Sequence, residues 1–111
     1  MKQNPKWYEP VIAMHIAVTD QVSHVKRLRS SRYFVWQEET GQDFLADNHH
    51  AETGIYGSTD LFTTQEFDPW KLAFEQSMEA AGAAWKLNSV DYEETTNIYH
   101  YYWQWRLPPY G

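Results

Sequence analysis

Between residues 98 and 107 the chain reads IYHYYWQWRL, with a large apolar side chain at almost every second position. In an extended strand, Tyr99, Tyr101, Trp103, Trp105 and Leu107 share one face, and His100, Tyr102, Gln104 and Arg106 share the other. One wholly aromatic and apolar face demands a covering layer, because a sheet is stable only when such a face is buried against another element. Pro108-Pro109 stops the strand. Trp85–Glu93 supplies a hairpin partner across the polar turn Glu94-Thr95-Thr96-Asn97.

Helices are the natural cover. Asp68 is placed to cap one and Pro69 to start it, and Trp70, Ala73, Phe74, Ser77, Met78 and Ala81 recur at helical spacing before Gly82. Lys71, Glu75 and Glu79 fall on its polar face. A second helix is expected to begin at Asn4-Pro5 and to end near Val18-Thr19-Asp20, burying Tyr8, Val11, Ile12 and Ile16. Tyr33–Gln37 is rich in aromatic and β-branched residues and reads as a strand. Val22–Leu28 is a shorter extended piece, 38–48 a polar loop, and His50–Thr64 extended, with Gly54 and Gly57 marking a bulge or a close backbone contact.

The order is therefore α-β-β-β-α-β-β, an α+β fold. Its simplest form is a mixed or antiparallel sheet of four or five strands with two helices packed on one face. At 111 residues it is a single domain spanning 1–111. Six Trp, eight Tyr and five Phe give more rings than such a core encloses. The surplus Tyr and Trp are expected at the surface, where these residue types favour protein–protein contacts.

Several function classes are disfavoured at once. The chain has no cysteine, which removes disulfides, thiolate metal sites and thiol nucleophiles. No apolar run approaches a membrane span, and Met1–Pro5 lacks the apolar core of a signal peptide. The net charge of −6 is polarised: residues 1–32 carry +4, and residues 33–111 carry −10. That acidic majority argues against nucleic-acid recognition, even though Lys26, Arg27, Arg29 and Arg32 lie near Tyr33 and Trp36.

No catalytic constellation stands out. His49, His50 and Glu52 have the chemistry of divalent-metal ligands, but adjacent histidines at a strand's start point to opposite sides, so at most one joins Glu52. A polar loop entering a strand accounts for the same residues. His15, His24 and His100 read as satisfied or solvated side chains, with no Ser nucleophile and orienting acid beside them. The five glycines are scattered and form no phosphate loop. The expectation is a chain that is not an enzyme and needs no cofactor.

Tyr33–Glu39, Ala46–Glu52, Asp60–Thr63, Glu66–Trp70, Leu87–Val90 and Tyr101–Trp105 resemble the corresponding stretches of small prophage tail-component proteins, over roughly 31–107. The order of elements is also similar to that of the tail terminators of long-tailed phages. That resemblance implies a non-enzymatic protein forming a hexameric ring on the tail tube, ending its growth and joining it to the head–tail connector. It further implies assembly in the host bacterial cytoplasm and a place in the virion tail. The alternatives are a soluble protein-binding module, another head–tail connection protein, or a small metal-dependent enzyme built on His49, His50 and Glu52.

A ring needs two unlike, complementary surfaces on each subunit. The basic group Lys26, Arg27, Arg29 and Arg32 is expected to meet the acidic residues Glu38, Glu39, Asp43, Asp47, Asp91, Glu93 and Glu94 across subunits.

Overall fold

The computed structural model describes residues 6–39 and 54–108. Along the chain run α1 (Glu9–Ile16), β1 (Val22–His24), β2 (Arg32–Glu38), β3 (Ile55–Thr63), α2 (Pro69–Ala80), β4 (Ala84–Glu93) and β5 (Ile98–Leu107). The strands form one five-stranded sheet in the order β1-β2-β3-β5-β4. Strand β1 pairs parallel to β2 and all other neighbours are antiparallel, so the sheet is mixed. The expected element order and fold class are those observed.

Both helices cover the same face. Val11 and Met14 of α1 and Phe74 and Met78 of α2 are buried with Phe34, Trp36, Leu61, Tyr101, Trp103, Trp105 and Leu107. Phe74 sits 5.1 Å from Phe34 and 5.0 Å from Trp103, the latter edge to face, a favoured geometry for ring pairs. The Ser77 hydroxyl donates to the Met14 carbonyl at 2.7 Å and ties the helices together.

Helix α2 follows its local signals. The Asp68 carboxylate accepts from the Trp70 N–H at 2.8 Å, and Pro69 occupies the first turn. At the other end Gly82 takes φ +76°, while Gly82 N–H donates to Glu79 and Ala83 N–H to Met78. Those two bonds satisfy carbonyls that the last turn leaves open.

Helix α1 departs from the sequence reading. Its expected start at Asn4-Pro5 lies outside the described residues. The face turned inward is Val11, Met14 and His15, with Val18 packed behind, whereas Tyr8, Ile12 and Ile16 are substantially exposed. A polar residue holds the buried stripe because His15 finds hydrogen-bond partners inside. Glu75 is a second correction: it is buried, accepting from Trp103 Nε1 at 3.0 Å and from Lys71 Nζ at 3.1 Å.

Both early glycines mark close backbone contacts. A methyl at Gly54 would fall 2.0 Å from the Leu107 carbonyl oxygen, and φ there is +96°. At Gly57 it would lie 2.5 Å from Trp105 Cη2 and 2.7 Å from the Gln37 carbonyl oxygen. Gly57→Ala is therefore expected to cost about 2 kcal/mol, because a ring and a backbone carbonyl must both move. A urea midpoint equal to that of the parent chain would contradict this.

Candidate assembly surfaces

The second face of the sheet carries a smaller apolar cluster of Tyr33, Val35 and Phe62, against which Leu28 and Ile98 pack. The segment after β1 reaches it by a turn at Val25, which takes φ 73° and donates its N–H to the Trp36 carbonyl. The chain then runs over the open face. Arg27 rests its guanidinium 4.5 Å from the Phe62 ring centre, and His100 stacks on Phe62 at 4.5 Å. His100 Nε2 is hydrogen-bonded to Asp60 Oδ2.

Arg27, Phe62, Asp91, Tyr92, Glu93, Ile98 and His100 line one depression of about 260 Å³. The basic segment and one acidic stretch thus converge within a single chain. The Glu93 carboxylate is further occupied by the Thr95 and Thr96 hydroxyls, which donate at 2.8 and 2.9 Å and hold its pKa below the usual value.

Arg32, Glu38 and Glu39, also singled out in the sequence, have intrachain partners. Arg32 forms a fork with Asp68 at 2.8 and 2.6 Å and lies 3.7 Å above the Trp70 ring. Glu38 accepts from His24 Nε2 at 2.6 Å, and that bond keeps its carboxyl below its ordinary range. Glu39 accepts from Tyr102 Oη and Gln104 Nε2, both at 3.1 Å. Lys26, Arg29 and Glu94 are exposed. Asp43, Asp47, His49, His50 and Glu52 lie outside the described residues.

Among the described residues His15 and Thr59 form a histidine–hydroxyl pair with the geometry of a base beside a nucleophile. Thr59 Oγ1 lies 2.8 Å from His15 Nε2, while His15 Nδ1 lies 2.8 Å from the Val11 carbonyl oxygen. That carbonyl can only accept, so Nδ1 carries the proton and Nε2 accepts from the Thr59 hydroxyl. Trp105 Nε1 donates to the same Thr59 oxygen at 2.8 Å. Both residues are fully buried, and the third partner is a backbone carbonyl rather than an acid. The pair is a structural relay, closed to substrate. Among the described residues no three His, Asp or Glu side chains are placed to hold a metal ion.

Two exposed apolar surfaces escaped the sequence reading. One is an apolar groove of about 390 Å³ lined by Trp7, Tyr8, Ile12, His24 and Trp36, beside the short edge strand β1. The other is the outer side of β4, at the opposite edge of the sheet. Val90 and Tyr92 are exposed there by 49% and 46%. A register shift between Leu87 and Ser89 makes Asn88 a bulge. Its signal is in the sequence: Trp85, Leu87, Val90 and Tyr92 keep one face only if a residue is skipped between Leu87 and Val90.

No family model, curated protein or solved structure matches the chain. No helix among the described residues is long and apolar enough to cross a membrane.

Proposed function

We propose that this chain is a structural subunit of a phage or prophage tail, of the tail-terminator kind, acting by protein contact rather than catalysis. The observation that carries the reading is the sheet, which among the described residues ends in two unlike, unpaired edges. One edge is a ten-residue strand with exposed apolar side chains, and the other is a three-residue strand beside an apolar groove. Unlike surfaces on opposite sides of a subunit are what a closed ring of identical copies uses. The partners are further copies of the chain, the tail tube and the head–tail connector. Assembly takes place in the host bacterial cytoplasm and the product is carried in the virion tail.

Charge plays a narrower part than the sequence alone implies. Within the basic group at 26–32, Arg27 and Arg32 have intrachain partners, which leaves Lys26 and Arg29 for contacts between molecules. The test is negative-stain microscopy of the purified chain across a concentration series, with and without the tail-tube protein of the same genetic element. Rings, or tubes ending in a uniform cap, are expected. At low salt Arg29→Glu is expected to raise the concentration needed for capping about tenfold. Tubes whose ends and lengths ignore the protein would overturn the reading.

A further inference from the structure

An open ten-residue edge strand is a hazard for a free chain, because its unpaired N–H and C=O groups invite uncontrolled pairing. In β4 the side chains point to a particular solution. Opposite residues of a ladder lie on the same face of the sheet. Lys86 lies opposite Gln104, Ser89 opposite Tyr102 and Asp91 opposite His100, so these three point to the face away from the helices. Leu87 lies opposite Trp103, Val90 opposite Tyr101 and Tyr92 opposite Tyr99, with Trp85 opposite Trp105, so these four point to the helix face. Between the two halves stands the Asn88 bulge.

From this pattern we infer that two copies of the chain pair antiparallel along β4, about a two-fold axis between Asn88 and Ser89. In that register Lys86 faces Asp91 of the second copy, Leu87 faces its Val90 and Trp85 faces its Tyr92, and symmetry repeats each contact. Two ion pairs then form on the open face, and an apolar row runs unbroken along the helix face. A slip of one residue sets apolar side chains against the charged face. A slip of two in one direction sets Lys86 opposite Ser89 and loses the ion pairs; in the other it sets Lys86 opposite Glu93 but puts Trp85 opposite Glu94, beyond the strand, and breaks the apolar row. A bulge increases local twist, and a two-fold partner brings the same bulge to the same level, so the two edges match. The product is a continuous ten-stranded sheet that leaves the β1 edge and its groove uncovered.

The pair rests on β4 alone and stands or falls separately from the tail reading. In that reading it is the form in which the free chain keeps its long edge covered. Sedimentation velocity across a concentration series, on the whole chain at low salt, tests it. A monomer–dimer equilibrium is expected. Lys86→Glu sets carboxylates against each other at both contacts, and Asp91→Lys does the same with ammonium groups. Each is expected to weaken the dimer about tenfold, and the double exchange to restore it. Near-UV circular dichroism confirms that each variant keeps its aromatic core. Amide hydrogen exchange of the parent chain should show protection in β4 that grows with concentration. A monomer at every concentration, or a dimer indifferent to both charge reversals, would overturn the inference. Capping of tail tubes by the same variants reports on the tail reading separately.

Discussion

Asp68→Ala is expected to remove about 3–5 kcal/mol of folding stability, a large share of what a domain of this size possesses. Three structural elements meet at this carboxylate. It caps α2 through the Trp70 N–H, closes a two-bond fork with Arg32 at the start of β2, and accepts from Thr63 at the end of β3. Its side chain is wholly buried, whereas Arg32 keeps a partly exposed edge. Burial by itself would push the carboxyl's pKa up. The bonds from Arg32, Trp70 and Thr63, together with the Arg32 charge, outweigh burial and hold it below the usual range. Loss of the cap costs about 1 kcal/mol. The larger part comes from leaving the Arg32 guanidinium over Trp70 without its counter-charge. Asp68→Asn keeps an acceptor for the Trp70 N–H and should recover the cap but not the fork. Urea denaturation of the two variants separates these contributions: equal losses would show that the cap contributes nothing, and an Asp68→Asn chain as stable as the parent would show that the charge pair contributes nothing.

Elements that depend on their own local chemistry were legible in the sequence. Pro69 behind an Asp cap, Gly82 at the helix end and strict alternation from Tyr99 to Leu107 each specify structure within a few residues. The sheet's ladder and the helix-covered face follow from that alternation, because five aromatic or aliphatic side chains on one side leave little choice about where the core sits. What was not legible depends on partners far away in the chain. His15 is polar and so does not mark a core face, yet Thr59, 44 residues later, supplies the bond that makes its burial tolerable. Glu75 looks like a solvated helix residue until Trp103 arrives to donate to it.

The charged residues tell the same story from the other side. Composition puts Arg27 in a basic block and Asp91 and Glu93 in an acidic one, which favours a contact between molecules. Folding lays the segment after β1 across the open face and brings all three to one depression of the same chain. Sequence blocks record charge, but only the topology decides which blocks become neighbours. The β4 edge is intermediate. Its bulge is written in the broken alternation from Trp85 to Tyr92, whereas its position at the sheet's edge comes from the strand order.

The relay around His15 makes a sharp expectation for acid. Burial among Phe34, Trp36, Phe74 and Trp105 disfavours the imidazolium and, against the opposing effect of the Val11 carbonyl, lowers the pKa from 6.5 to about 4. Protonation would also turn Nε2 into a donor aimed at a Thr59 oxygen that already receives Trp105 Nε1, and the threonine's own proton would lose its acceptor. Between pH 6.5 and 4 the unfolded chain therefore binds a proton that the folded chain refuses, and stability falls as the pH is lowered. The contribution is fully present above pH 6.5, and about 3 kcal/mol is lost by the time the folded-state pKa is reached. Asp68, held below the usual carboxylate range, loses its stabilising charge only as the pH falls further. His15→Leu removes the titrating group: it should cost about 1–3 kcal/mol at neutral pH, because the Thr59 hydroxyl is left without its acceptor. The same substitution should flatten the fall between pH 6.5 and 4 by about 3 kcal/mol. Urea midpoints of the parent and the variant across that range decide it. Parallel curves would assign the acid sensitivity to other groups and leave His15 a packing residue only.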